Sequence, residues 1–457
     1  MSLKVIELND SSISVGNEDG IIAQSPGFAL AAGNTLEIGE AAEQQARLQP
    51  TNSYNKYWHE LNLEPLSHGN NIRHFADIAY AQLLHLAEIG QIDSDVIFAV
   101  PGSFTRQQLA ILLGLTKQCP FTPVGVVNSA LATASIGDHS ESTVYADIQL
   151  HQVELTKLSF SGGELSIDSV IQVPGVGTQN FMDSMMQLAT RLFIQQCRFN
   201  PQHNAASEQQ LYNELPSWLR QSDGDHGSLM MELKTDEAVH TAKMPRENLV
   251  SSLNGHYQII RQQIAALATE HGVRILVNSR MSTLPGFVAS LQEHPNLAVL
   301  DPHIVNSACY EFRGSIISGQ EGIHLVDKLP VKAKTKGRAL SAKSAEQDHD
   351  EQRNQPTHAL YSCRALTVGA IEITNQSRLN GHAATAQSIV MSLPGLPEKL
   401  GRIEKRPEGI FLDCWDNEVL LNNNRVSGQQ PLKIGDRIQF TEDSEEICLI
   451  QVNNNVV

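Results

Sequence analysis

The chain carries few features that would place it in a membrane, staple it covalently or bind it to nucleic acid. Its six cysteines, Cys119, Cys197, Cys309, Cys363, Cys414 and Cys448, are scattered along 457 residues with no Cys-x-x-Cys pair. Reduced, mostly buried thiols are therefore expected, rather than a disulfide framework or a zinc site. No apolar run approaches the roughly 18 residues that a membrane helix needs. The opening Met-Ser-Leu-Lys-Val-Ile-Glu lacks the apolar core of a secretory signal. The expectation is a cytoplasmic protein with no membrane partner. Positive charge is also scarce: 33 Lys and Arg against 50 Asp and Glu give a formal net charge of -17. Such a surface repels a phosphate backbone, so no nucleic-acid partner is expected. Gly-x-x-x-x-Gly-Lys-Ser, Gly-x-Ser-x-Gly and His-Glu-x-x-His are all missing, which removes the commonest phosphate-loop, serine-hydrolase and zinc-protease signatures. The seventeen histidines are dispersed; His59, His68 and His74 come nearest to a cluster and read as surface residues.

What is present is enough to build a core. Hydrophobic residues make up 41% of the chain, and its length has room for roughly two to four domains of about 150 residues each. The most informative stretch runs from Asp95 to Ala134. Val96-Ile97-Phe98-Ala99-Val100 is a short apolar run that reads as a buried strand, stopped by Pro101-Gly102. Ser103 or Thr105 can cap the helix that follows, whose Leu109, Leu112, Leu113 and Leu115 supply a buried face. Val124-Gly125-Val126-Val127 is a second strand, and Asn128 to Ala134 begins a small-residue helix. A strand, a covering helix, a parallel strand and another helix make a βαβα unit, so the fold class is α/β.

Two hairpins share one pattern. In the first, Val5-Ile6-Glu7-Leu8 leads through Ile13 and Val15 to the turn Asn17-Glu18-Asp19-Gly20 and returns through Ile21-Ile22-Ala23. In the second, Val144-Tyr145-Ala146-Asp147 leads through Val153, Leu155 and Leu158 to Ser161-Gly162-Gly163 and returns through Leu165, Ile167, Val170 and Ile171. Each first strand ends on an acid, Glu7 and Asp147. The repeat predicts two related α/β halves.

These segments resemble the DnaK-type heat-shock chaperones of the actin-like ATPase superfamily. The family's strand ending in Val-Pro, its aromatic, its Gln-rich helix start and its Asn-Glu-Pro-Thr-Ala-Ala run are matched by Val100-Pro101, Phe104, Gln107-Gln108 and Asn128-Ser129-Ala130-Leu131-Ala132. Its Val-Gly-Asp-Ala-Ala…Asn-Pro-x-Asn-Thr run is similar to Ile38-Gly39-Glu40-Ala41-Ala42 and Pro50-Thr51-Asn52-Ser53. Gly175-Val176-Gly177-Thr178-Gln179-Asn180-Phe181 looks like Leu-Gly-Gly-Glu-Asp-Phe, and Pro245-Arg246-Glu247-Asn248-Leu249 like Thr-Arg-x-x-Phe-Glu. The resemblance implies a duplicated actin-like (ribonuclease H-like) fold, with one lobe over residues 1–140, a second over 141–326, and a nucleotide between them.

The same resemblance assigns positions to ATP or ADP and Mg²⁺: Glu7, Ser11, Asp147, Glu154, Gly175, Gly177, Thr178 and Pro285. Glu7 and Asp147 would hold Mg²⁺ through water. Asp147 and Lys56 are the candidates for catalysis, although strict spacing puts Trp58 where the family has its lysine. The family's Asp-Leu-Gly-Thr-Thr becomes Glu7-Leu8-Asn9-Asp10-Ser11, and Asp-Leu-Gly-Gly-Gly-Thr-x-Asp becomes Asp147-Ile148-Gln149-Leu150-His151-Gln152-Val153-Glu154. Phosphate glycines let backbone N–H groups approach an anion with no Cβ in the way, and here they are replaced. The adenosine loop Gly-Gly-Ser-Thr-Arg-Ile-Pro becomes Ser279-Arg280-Met281-Ser282-Thr283-Leu284-Pro285, losing both glycines and the stacking arginine. Ser129 stands where the family has its water-orienting Glu.

Downstream the character changes twice. Residues 327–357 hold Lys332, Lys334, Lys336, Arg338 and Lys343, then Glu346-Gln347-Asp348-His349-Asp350-Glu351, and read as a flexible charged linker. Residues 358–457 read as a small β-sandwich, with strands over 366–373, 388–393, 410–415, 418–421, 437–440 and 447–452. Val419-Leu420-Leu421-Asn422-Asn423-Asn424-Arg425-Val426 followed by Leu432-Lys433-Ile434-Gly435-Asp436-Arg437-Ile438 resembles the last strands of a forkhead-associated domain, without that family's Gly-Arg strand end or Ser-x-x-His site. Two functions follow as expectations: a chaperone-like binding scaffold with a protein partner and a degraded nucleotide site, or a divergent Mg-dependent ATPase switch. The oligomeric state is left open.

Overall fold

The computed structural model describes residues 3–331 and 355–451, apart from positions 34, 67–71, 138–141, 222–226, 237, 269–271, 319–321, 363, 376–387, 416–418, 423 and 442–443. The protein is a mixed α/β chain with several sheets. It divides into two compact units, residues 1–167 with 173–334 and residues 168–172 with 335–457. The basic and acidic runs of the expected linker lie outside the described residues.

In the first unit one strand order occurs twice. Strands β1 (Lys4–Glu7), β2 (Ile13–Asn17) and β3 (Gly20–Ser25) form an antiparallel meander. On the other side of β1, β4 (Asp95–Val100) pairs in parallel, and β5 (Thr122–Asn128) pairs in parallel with β4. The second sheet repeats this with β6 (Ser142–Ile148), β7 (Gln152–Ser161) and β8 (Glu164–Pro174), then β9 (Arg274–Val277) parallel to β6 and β10 (Leu297–Val299) parallel to β9. Each sheet ends on a late strand: β11 (Leu325–Val326) joins β5, and β12 (Lys328–Pro330) joins β8. The strand β12 falls where the linker was expected to begin. Leu329 and Val331 are buried in the second core, which ties this piece of chain down.

Local chemistry sets these elements. Thr105 is the cap of the Arg106–Thr116 helix: its Oγ1 accepts from the Gln108 N–H, and the Gln108 side chain returns to the Thr105 N–H. The buried stripe of that helix centres on Ile111, Leu112 and Thr116, with Leu109, Leu113 and Leu115 half-buried at its flanks. Asn128 caps the Ser129–Ala134 helix through Oδ1, at 2.9 and 3.1 Å from the N–H groups of Ala130 and Leu131. All six residues of that helix are buried, five of them small or medium-sized, with Leu131 filling the core.

One element departs from the sequence expectation. Residues 201–228 read as loops around short helical pieces, yet Ala205–Gln221 is one helix with Pro216 inside it. Leu211, Tyr212, Leu215 and Trp218 are buried along one face, and that burial outweighs the lost N–H of the proline. After it comes a two-stranded hairpin, Ser228–Lys234 with Val239–Pro245.

The second unit is a β-sandwich. One sheet runs in the order Arg364–Thr367, His358–Tyr361, Ile447–Ile450, Arg437–Gln439, Leu420–Leu421 and Asn424–Arg425. The other runs Ser388–Met391, Ala370–Asn375, Lys399–Arg406, Gly409–Cys414 and Gly428–Leu432. Ala359, Ile438 and Leu449 from the first and Ile371, Ile403 and Leu412 from the second share one core. The strand Lys399–Arg406, central in its sheet, has no apolar run. Only Leu400, Gly401 and Ile403 are buried in it.

Asn375, wholly buried, ends the Ala370–Asn375 strand. Its Nδ2 donates to the carbonyls of Leu393 (2.7 Å) and Leu396 (3.0 Å), and its Oδ1 accepts the Leu393 N–H at 3.1 Å. Alanine there would orphan three backbone groups in a dry place. Asn375→Ala is expected to cost this unit about 2 kcal/mol, read as a lower urea midpoint for its unfolding. An unchanged midpoint would show that water replaces the amide.

Candidate functional site

Three acidic strand residues and one arginine meet within the first unit. Glu7 ends β1, Asp147 lies next to the end of β6, and Glu154 lies on β7; each is 5% exposed or less. Arg280 arrives from the short helix Ser279–Ser282 after β9. Asn278 fixes that helix start, because its Oδ1 accepts the Arg280 N–H at 2.9 Å while its own N–H donates to the Ala146 carbonyl at 2.9 Å. The guanidinium grips Glu7 with two parallel contacts, Nη1 to Oε1 at 2.9 Å and Nη2 to Oε2 at 2.8 Å. It reaches Asp147 Oδ1 at 3.6 Å. Glu7 thus takes the larger share of the cation, in the bidentate geometry that arginine favours.

Protonation follows from that sharing. Burial lifts the Asp147 carboxyl to about 7; Arg280 opposes the rise without cancelling it, and the neighbouring Glu7 charge adds to it. Burial works against the Arg280 charge, but Glu7 and Asp147 outweigh it and hold the guanidinium more firmly protonated than usual.

The turns after β1 and β6 are locked to each other. Asn9 Nδ2 donates to Asp147 Oδ2 (3.0 Å) and to the Ile148 carbonyl (2.9 Å), while Asn9 Oδ1 accepts from the N–H and hydroxyl of Ser11 (3.0 and 2.7 Å). Asp10 Oδ1 accepts the Leu150 N–H at 2.7 Å. Burial raises the Asp10 carboxyl above the usual range, against the pull of the Leu150 N–H, His151 and His59. Leu150 itself is buried with Phe28, Leu30 and Ala42. A third tie joins the halves through Glu154, whose two oxygens accept the N–H groups of Gly102 (2.7 Å) and Ser103 (2.8 Å).

The turn after β6 also seats the Thr178–Cys197 helix. The N–H groups of Thr178 and Gln179 donate to the carbonyls of Gln149 (2.9 Å) and Leu150 (3.0 Å), and Gly175 N–H donates to His151 (3.1 Å). The helix start, ordinarily open to an anion, is closed by backbone carbonyls.

The residues singled out by the sequence are therefore distributed unevenly. Glu7, Ser11 and Asp147 join one network with Asn9 and Arg280, Asp10 binds the Leu150 N–H beside it, and Glu154 pairs with Asp147 across the β6–β7 ladder. Ser11 and Thr178 also line a cleft of about 440 Å³ with Arg280. Gly177 is wedged against the Leu150–Gln152 backbone, and Pro285 offers its carbonyl to the Tyr257 hydroxyl at 2.7 Å. Lys56 is largely exposed and pairs with Glu60 at 3.4 Å, away from these carboxylates. Trp58 is buried in the first core. Asn9, Asp10 and Arg280 are residues whose roles the sequence reading missed. The signal for Arg280 was an arginine three residues past the buried strand β9, in a chain whose β1 and β6 carry acids near that end.

Among the described residues no group of three or more His, Cys, Asp and Glu is arranged to hold a metal ion. No helix among them is long and apolar enough to cross a membrane. No family model matches the chain, and no curated protein matches it.

Proposed function

We propose that this protein is a chaperone-like member of the actin-fold group that works as a binding scaffold for a protein partner, its ancestral nucleotide site closed by its own side chains. The repeated strand order of the two sheets supports the duplicated fold. The two-sheet sandwich of the second unit supports a forkhead-associated-like module as the recruiting element.

The observation that carries the functional reading is the Arg280–Glu7–Asp147 cluster. In the ATP-binding relatives that the sequence resembles, the two carboxylates face Mg²⁺. Here a fixed guanidinium clasps Glu7 and reaches Asp147, and a second cation beside it would meet like-charge repulsion in a poorly hydrated place. Phosphate fares no better. The Leu150 N–H, which would greet an anion, is already spent on the Asp10 carboxylate, and Leu150 fills space beside it. These residues do not fit a magnesium triphosphate, so no hydrolytic step is derived through one.

The test is thermal unfolding of the full chain with millimolar Mg-ATP, Mg-ADP and no nucleotide. The expected result is a transition that moves by less than a degree. A rise of several degrees, or phosphate release abolished by Asp147→Asn, would replace this reading with that of a divergent ATPase switch.

A further inference from the structure

Beside the closed turns lies an open cleft. Of its roughly 440 Å³, enough for a small organic molecule, the walls are partly apolar, with Ile21, Leu150, Met182 and Pro216. Its charged lining groups are Arg280 and Glu43. Arg280 is already committed to Glu7 and Asp147, so it brings no free positive charge. Glu43 lies at the opposite end of its bonding capacity. A carboxylate offers about four acceptor sites, and Glu43 uses Oε1 to accept the Tyr212 hydroxyl at 2.8 Å. That hydroxyl in turn accepts from Gln179 Nε2 at 2.9 Å, which orients it toward Glu43. Thr178, which also lines the cleft, has a buried Oγ1 with no hydrogen-bond partner. The nearest further cation, Arg47 over the Tyr212 ring, is paired with both Asp183 and Glu208.

From this arrangement we infer that the cleft binds a small organic cation with a flat apolar body, an amidine or arylalkylamine, whose charged end is held by Glu43. The inference rests on the closed phosphate site proposed above. An unneutralised carboxylate among acceptors attracts a donor-rich cation and repels an anion of the same shape. The segment carrying Glu43 is held in place beside the cleft by side-chain bonds to the Ala205–Gln221 helix. Gln209 Nε2 donates to the Glu43 carbonyl at 3.2 Å, and Arg47 N–H donates to Gln209 Oε1 at 2.6 Å. The acceptor is thereby positioned before any ligand arrives.

The test titrates the full chain with benzamidine and with tyramine, and with benzoate as the anionic isostere, by calorimetry and thermal unfolding. Saturable binding of either cation is expected, with no binding of benzoate or inorganic phosphate. Glu43→Gln, which keeps shape and can still accept from Tyr212, should weaken the cation at least tenfold while its own melting curve stays close to the wild type. Met182→Trp, which fills the cleft from another side, should abolish binding. Equal binding of benzoate, equal binding to Glu43→Gln, or no saturable binding of either cation overturns the inference. The outcomes separate from those of the scaffold reading, which fails on nucleotide binding or phosphate release.

Discussion

Arg280→Ala is expected to destabilise the first unit by about 3–5 kcal/mol, because it leaves two buried carboxylates facing each other without their cation. The arginine is held in a bidentate clasp by Glu7 and lies 3.6 Å from Asp147, and both acids are almost fully buried. Urea unfolding followed by tryptophan fluorescence reads the loss. Adding Glu7→Gln and Asp147→Asn to the variant should recover a large part of it, since the remaining groups are neutral and the penalty is one of uncompensated charge. A single variant as stable as the wild type would show that water already screens the pair.

The pH dependence gives an independent check. The folded-state carboxyl of Asp147 lies at about 7, above its ordinary 3.8. The folded protein therefore holds this proton more tightly than the unfolded chain does. That contribution is complete below about 3.8 and disappears as pH rises through about 7. Asp147→Asn removes it, so the stability of wild type minus that of Asp147→Asn should grow as pH falls from 8 to 5. His59, His85, His256 and His358 are all pushed down by burial and act in the opposite sense in both proteins, so they drop out of the difference. For the same reason the penalty of Arg280→Ala should be smaller at pH 5 than at pH 8: a protonated Asp147 no longer needs the guanidinium.

What could be read beforehand was whatever a local pattern determines. Val96 to Val100 is an unbroken apolar run because β4 is buried on both faces between parallel neighbours, and the sequence shows it. Thr105 and Asn128 announce their helices because capping is a contact between residues two or three apart. The strand Lys399–Arg406 was illegible for the converse reason. It presents Arg402, Glu404 and Arg406 outward, and those charges are neutralised by each other and by Asp413, 7 residues from Arg406. The Ala205–Gln221 helix hid behind Pro216, since its stability comes from tertiary burial of Tyr212, Leu215 and Trp218.

The site divides the same way. Glu7 and Asp147 were visible as acids at equivalent strand ends, but the partner that defines their chemistry lies 273 residues from Glu7. Read as the loss of a glycine, Arg280 says only that space is gone; placed in three dimensions, it supplies the cation. Asp10 was hidden in a related way: the sequence shows only an acid beside the replaced glycine, whereas its carboxylate does what an anion would do, accepting the Leu150 N–H across 140 residues of sequence.

Gly177→Ala should be among the most damaging substitutions in the chain, though it adds a single methyl group. The backbone at Gly177 is extended, at φ -78° and ψ 174°, a conformation open to any residue, so the cost is steric alone. A Cβ there would lie 2.3 Å from the Leu150 carbonyl oxygen, 2.4 Å from the Gln152 nitrogen and 2.4 Å from the His151 carbonyl carbon. All three are backbone atoms that cannot swing aside by a rotamer change. To relieve the contacts the Thr178–Cys197 helix must withdraw from the β6–β7 turn, stretching the bonds from Thr178 and Gln179 to Gln149 and Leu150. Overpacking and two weakened hydrogen bonds together are expected to cost about 3 kcal/mol or more. Gly175→Ala is the internal control. Nothing lies within 4 Å of its Cβ position, but its φ is +76°, so it bears only the left-handed backbone penalty of about 1–2 kcal/mol. Urea midpoints should therefore fall in the order wild type, Gly175→Ala, Gly177→Ala. If the reverse order is measured, the turn and helix are not in the close contact from which the sealed phosphate site has been argued.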